Sequence, residues 1–190
     1  MNQHNRQTDQ ANITNGVNVT ALFNTIDAVK SDKQLAEFRF RASNHWMDGG
    51  HNRSTIQGFY GCREEDSSRT HAFTMDADEP PVLLGEDNGA NPVEYLLHSL
   101  AACMTTSMVY HAAARGIEIK AVESSLEGDL DLRGFLGISD EVRKGYRQIQ
   151  VNFKVQCDAD ASVLRELTQF SPVYDVVSNS LPVEINIETY

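Results

Sequence analysis

The run Asn91-Pro92-Val93-Glu94-Tyr95-Leu96-Leu97-His98-Ser99-Leu100-Ala101-Ala102-Cys103 decides the fold. Asn91 is a capping residue type, and Pro92 suits the first helical position, where no backbone donor is needed. The run continues through Met104-Thr105-Thr106-Ser107-Met108-Val109-Tyr110-His111-Ala112-Ala113-Ala114-Arg115 and meets Gly116, a natural left-handed terminator. Few charges interrupt it, and apolar or small residues occupy every side. A helix that is apolar all round must be buried all round. One short chain offers too little sheet to cover it, so the pattern predicts that a second copy closes over it. A thiol, Cys103, sits mid-helix.

Around this helix the chain alternates strands and helices in an α+β layout. Leu22, Phe23, Ile26 and Val29 lie at helical spacing and predict a short helix over 19–30, preceded by a polar, loosely attached tail over 1–18. Residues 1–33 are therefore read as a tail with a short helix, and 34–190 as a single domain. Phe38, Phe40 and Ala42 alternate with Arg39 and Arg41 and predict a half-buried strand. Asp48-Gly49-Gly50 is a turn, and further strands are expected over 54–62 and 70–75. Asp78-Glu79-Pro80-Pro81 reads as irregular chain. Beyond Gly116, strands are predicted to about Glu127 and over 146–157, separated by a long excursion over 129–144. In the second of these strands Ile149, Val151, Phe153 and Val155 share one face. Helices over 161–170 and from Pro172 to about Ser178 follow, and Val183, Ile185 and Ile187 predict a closing strand.

The 190 residues carry a net charge of −11, with 41% hydrophobic content. That charge disfavours a nucleic-acid backbone as partner. No uncharged run is long enough to span a bilayer, and Met1-Asn2-Gln3-His4-Asn5-Arg6 lacks the apolar core of a secretory signal. Cys62, Cys103 and Cys157 are odd in number and widely spaced, with no CxxC pair. A cytoplasmic protein with no membrane partner is the expectation.

The order Asp78-Glu79-Pro80, Leu84-Gly85, Asn91-Pro92-Val93-Glu94, Leu100-Ala101-Ala102-Cys103, Ala113-Ala114-Arg115-Gly116-Ile117 and Ser171-Pro172-Val173 resembles the OsmC/Ohr family, the osmotically inducible and organic hydroperoxide resistance proteins. The resemblance covers roughly 38–188. It implies an intertwined homodimer with long central helices packed between antiparallel sheets, and thiol chemistry at the dimer interface. In the peroxidase members a Cys on this helix attacks the peroxide, an Arg and a Glu organise it, and a second Cys before a proline closes a disulfide. Cys103 matches the first Cys, and Arg53 is the best match for the Arg. Two positions depart. Ser171 stands where the second Cys would be. Val93 stands at the family's Glu position, with Glu94 one residue later.

The resemblance thus implies an oxidative-stress protein reducing organic hydroperoxides through one redox-active cysteine, with an external thiol as reductant. The alternative is a non-peroxidase member that binds a small hydrophobic ligand at the dimer interface. The candidate site is Cys103, Arg53 and Glu94, with Ser171 at the second-cysteine position. A thiol with its ordinary pKa near ~8.5 is mostly protonated at neutral pH, so an Arg beside Cys103 would decide its reactivity. Nine residues at ~100° each put Glu94 on the far side of the helix from Cys103, ~13 Å along the axis. It is therefore read chiefly as a helix-start charge. Cys157 is read as packing and Cys62 as incidental. His98 and His111 are read as satisfied polar residues. His45 and His51 lack zinc-ligand spacing, so neither a metal nor a cofactor is expected.

Overall fold

A computed structural model describes residues 12–189. The elements in chain order are β1 (Ile13–Thr14), β2 (Val17–Asn18), α1 (Val19–Ser31), β3 (Ser43–Asp48), β4 (His51–Ile56), β5 (Phe59–Gly61), β6 (Glu64–Asp66), β7 (Phe73–Ala77), α2 (Pro92–Ala114), β8 (Ile119–Asp129), α3 (Leu132–Phe135), β9 (Gln148–Cys157), α4 (Ala161–Thr168) and α5 (Pro172–Ser178). Contacts divide the chain into two compact units, Met1–Leu96 and Leu97–Tyr190. The layout is the expected mixture of helices and antiparallel sheet.

In the first unit β3, β4 and β7 form an antiparallel sheet in the order β3-β4-β7, with Asp48-Gly49-Gly50 turning β3 into β4. β5 pairs with β6 as a separate two-stranded ribbon. The expected strand over 38–42 does not form: a 3-10 turn occupies Lys33–Ala36, and only a single bridge joins Arg39 to Tyr60. Phe38 instead stacks on Phe40, ring centres 5.8 Å apart, and on Phe59, and Phe40 meets Phe59 at a tilt. Aromatic stacking, not sheet pairing, explains the alternation there. The tail is tighter than expected from residue 13, since β1 and β2 form a small hairpin and Val19 N–H donates to the Asn12 carbonyl. Residues 1–11 of that expectation lie outside the described residues. Asn18 caps α1 through its side chain, which accepts from Ala21 N–H at 2.9 Å.

The second unit is built on the antiparallel pair β8–β9, in register from Ala121↔Gln156 to Asp129↔Gln148, with a bulge between Ala121 and the end pair Ile119↔Cys157. Burial alternates residue by residue along β9, as its sequence predicts. The excursion between the two strands includes the short helix α3. Met108 and Ala112 of α2 and Leu164 and Leu167 of α4 make the core, packed on Phe153, Val155, Ile119 and Cys157. The helix end is a Schellman motif. Gly116 sits at φ +70°, its N–H donates to the Ala113 carbonyl, and Ile117 N–H reaches the Ala112 carbonyl.

Two expectations concern faces that one chain leaves open. Within the chain, α2 is buried along one stripe, Leu100, Met104, Met108 and Ala112, four residues apart, extended by Ala113. Elsewhere Leu96 is 38% and Tyr110 48% exposed, the side for which a second copy is expected. The closing strand does not form within the chain. Residues 180–189 have no regular structure, and Val183, Ile185 and Ile187 are 77%, 77% and 82% exposed. Among the described residues no strand pairs with them.

Candidate functional site

The thiol of Cys103 is half-buried on α2, one residue before Met104 of the buried stripe. All three cysteines are free. The Cys103 thiol makes no hydrogen bond among the described residues. Cys157 packs in the core of the second unit, with its Sγ 3.8 Å from the Ala159 carbonyl. Cys62 is exposed in the β5–β6 turn at φ +51°.

Ser171 is 1% exposed and is the N-cap of α5. Its Oγ accepts from Tyr174 N–H at 3.1 Å, and Pro172 follows at the first helical position. The preceding Phe170 stacks on His111 of α2, ring centres 4.1 Å apart. Burial first, and Arg115 second, hold the His111 pKa below its ordinary value. Both effects favour the neutral ring, which serves as a stacking surface for Phe170.

Arg53 and Glu94 lie in the first unit. Arg53 and Asp76 are register partners across β4 and β7. The guanidinium donates from Nε to Asp76 Oδ1 at 2.9 Å and from Nη2 to Oδ2 at 3.1 Å. His51 Nε2 lies 2.8 Å from the same Oδ1, and the Tyr95 hydroxyl donates to the Asp76 backbone carbonyl at 2.7 Å. Arg53, and after it His51, keep the Asp76 carboxyl below the usual carboxylate range. The carboxylate that holds Arg53 is therefore Asp76. The sequence reading missed it, although a correct β4–β7 register would have found it.

Glu94 has a different task. Its Oε2 accepts from Asn91 N–H at 2.9 Å, while Asn91 Oδ1 accepts from Val93 N–H at 2.9 Å. This reciprocal pair is a capping box. The Asn91 amide also donates to the Glu79 carboxylate. Just upstream, Asp78 is buried and accepts from the N–H groups of Glu79, Glu86 and Asn88 and from the Asn88 side chain, at 2.8–3.2 Å. Those donors, led by Asn88 N–H, lower its pKa to about 2. The loop from Glu79 to Asn91 is thus gathered on one carboxylate. Of the stretch 78–81 expected to be irregular, residues 78–80 are so, while Pro81 opens a 3-10 turn over Pro81–Leu83.

The second unit also contains a pocket of about 410 Å³ beside the buried stripe of α2. Its walls are Met104 and Met108 of α2, Val151, Phe153 and Val155 of β9, and Leu164 of α4, with Arg165 and Thr168 as the polar side chains. Among the described residues no cluster of three or more His, Cys, Asp or Glu is placed to hold a metal, and no helix is long and apolar enough to cross a membrane.

A family model described as OsmC-like protein matches residues 85–187, more than half of the chain. In fold, the chain is similar to an OsmC-like protein from Mycoplasma pneumoniae, with TM-score 0.54 and 15% identity over 75% of this chain and 89% of that one. It is similar to an OsmC-like protein of unknown function from Vibrio cholerae, with TM-score 0.53 and 11% identity over 77% and 95%. A third match is a putative osmotic stress induced and detoxification response protein from Psychrobacter arcticus, with TM-score 0.51 and 15% identity over 70% and 83%. No curated protein matches the chain.

Proposed function

The chain belongs to the OsmC-like protein family, and on that premise we propose that it is a thiol-dependent peroxidase acting through Cys103. The observation that carries this reading is Cys103 itself: a free, half-buried thiol on the capped helix α2, engaged by no side-chain partner among the described residues, in the place that the sequence resemblance matches to the reactive Cys. Its thiolate attacks the distal oxygen of an organic hydroperoxide. The O–O bond breaks, the alcohol leaves with a proton, and Cys103 becomes a sulfenic acid. An external thiol then displaces water to form a mixed disulfide, and a second thiol releases Cys103 in its reduced form. The reductant is external because Ser171, at the second-cysteine position, is a helix cap and has no thiol to offer. Arg53 is the proposed activating cation, oriented by Asp76, and Glu94 serves the helix start.

The working unit of this proposal is a homodimer. Supporting it are the uncovered side of α2 at Leu96 and Tyr110 and the exposed alternating run Val183, Ile185 and Ile187. Steady-state turnover of cumene hydroperoxide with dithiothreitol or a lipoyl dithiol tests the enzyme reading. Activity that Cys103→Ser abolishes is expected; equal activity in that variant refutes it.

A second reading is favoured by the pocket beside α2, whose volume falls within the ~300–1,000 Å³ of small-molecule sites. In that reading the protein binds a small hydrophobic ligand and Cys103 is packing.

A further inference from the structure

The pocket of the second unit has a charge pattern that selects among hydrophobic ligands. Its walls are aliphatic, aromatic and thioether groups from three elements, Met104 and Met108, Val151 and Phe153, and Leu164. The one charged side chain among the lining residues is Arg165, which is exposed at the pocket while its neighbour Leu164 is buried. Arg165 makes no side-chain hydrogen bond or ion pair among the described residues. The nearest acidic residue in sequence, Glu166, is directed to Arg115 at 3.4 Å. An open pocket walled by these apolar side chains, with one uncommitted guanidinium among its lining residues, matches a molecule with an apolar tail and one anionic head. A guanidinium binds a carboxylate through paired N–H donors.

We propose that this pocket binds a single-tailed organic carboxylate, its tail between α2, β9 and α4 and its head on Arg165. The proposal rests on the ligand-binding reading and adds the head group to it. It makes no use of Cys103.

Equilibrium binding of decanoate and decanol to the full-length protein, below their aggregation concentrations, tests it by calorimetry or displacement of a neutral fluorescent probe. Saturable binding of decanoate is expected, with decanol about tenfold weaker for want of the charge-assisted contact. Lengthening the tail from octanoate to decanoate tightens binding by about fourfold per methylene. Arg165→Gln brings decanoate down to the affinity of decanol. Ala161→Phe, placed at an exposed lining position where folding is undisturbed, weakens both ligands while the circular dichroism spectrum is kept. Equal affinity for decanoate and decanol in the native protein, or no effect of Arg165→Gln, overturns the head-group assignment and leaves the ligand-binding reading standing. Absence of saturable binding by either ligand, or indifference to Ala161→Phe, overturns both.

Discussion

Replacing Ser171 by alanine removes one acceptor and nothing else of consequence to packing, so the effect can be sized from the structure. The Ser171 Oγ accepts from Tyr174 N–H at 3.1 Å at the start of α5, a helix of 7 residues, and the side chain is almost fully buried. Loss of such a cap costs about 1 kcal/mol, within a range of ~0.5–2. In a chain of this length that lowers Tm by about 2–4 °C. Ser171→Cys costs about as much in reduced protein, because a thiol sulfur is a weak acceptor. Urea denaturation at one fixed protein concentration reads both values from the midpoint, with unchanged slope. The same variants separate structure from chemistry. Ser171→Ala keeps thiol-dependent turnover, since the hydroxyl plays no part in the cycle. A stoichiometric hydroperoxide pulse leaves the native protein without an intramolecular disulfide, whereas Ser171→Cys gains one to Cys103. A Ser171→Ala variant as stable as the native protein refutes the capping argument. A Cys103–Cys157 bridge in the oxidised native protein refutes the external reductant.

Trapping with dimedone after a brief pulse of cumene hydroperoxide should place the sulfenic acid on Cys103; faster trapping on exposed Cys62 would remove the basis of the enzyme proposal. Asp78 binds its proton more weakly when folded, with a pKa of about 2 against an ordinary 3.8, so its contribution is complete above pH ~4 and falls as pH drops toward 2. Asp78→Asn therefore lowers Tm at pH 7 and flattens the acid limb between pH 4 and 2; an acid limb parallel to that of the native protein argues against it. If the proposed dimer forms in the native protein, removal of residues 181–190, which takes away the exposed Val183, Ile185 and Ile187, weakens it in sedimentation at micromolar concentration. A dimer of undiminished stability would mean that the run contributes nothing to assembly.

The helix α2 was legible because its signals are local: a cap, a proline and a terminal glycine lie within a few residues of the turns they organise. Along β9, alternation reports burial correctly because β8 and the core on one face are both present in the chain. The same alternation misled at Phe38 and Phe40 and at Val183, Ile185 and Ile187. Period two says which side of an extended segment is apolar, but not that a neighbouring strand exists to pair with it. Of the site, Cys103, Arg53, Glu94 and Ser171 came from a family resemblance, and helix geometry gave Glu94 its reading as a helix-start charge. Asp76 and Arg165 were hidden for a different reason. Asp76 meets Arg53 only through a cross-strand register, and Arg165 acquires interest only when the walls of the pocket come from three separate elements.

Surface loops ordinarily drift in length between relatives, because nothing in their backbone counts residues. The loop after β7 is measured against a single side chain. Asp78 takes hydrogen bonds from residues one, eight and ten positions ahead, and Gly85 passes so close to the Glu79 carbonyl that a side chain there would collide with it. Adding or deleting one residue between Glu79 and Asn88 would carry at least one of those amides out of reach and shift Asn91 from Glu79. Insertions and deletions should therefore be as rare in this irregular segment among its relatives as in the middle of a helix, although each of its side chains taken alone could vary.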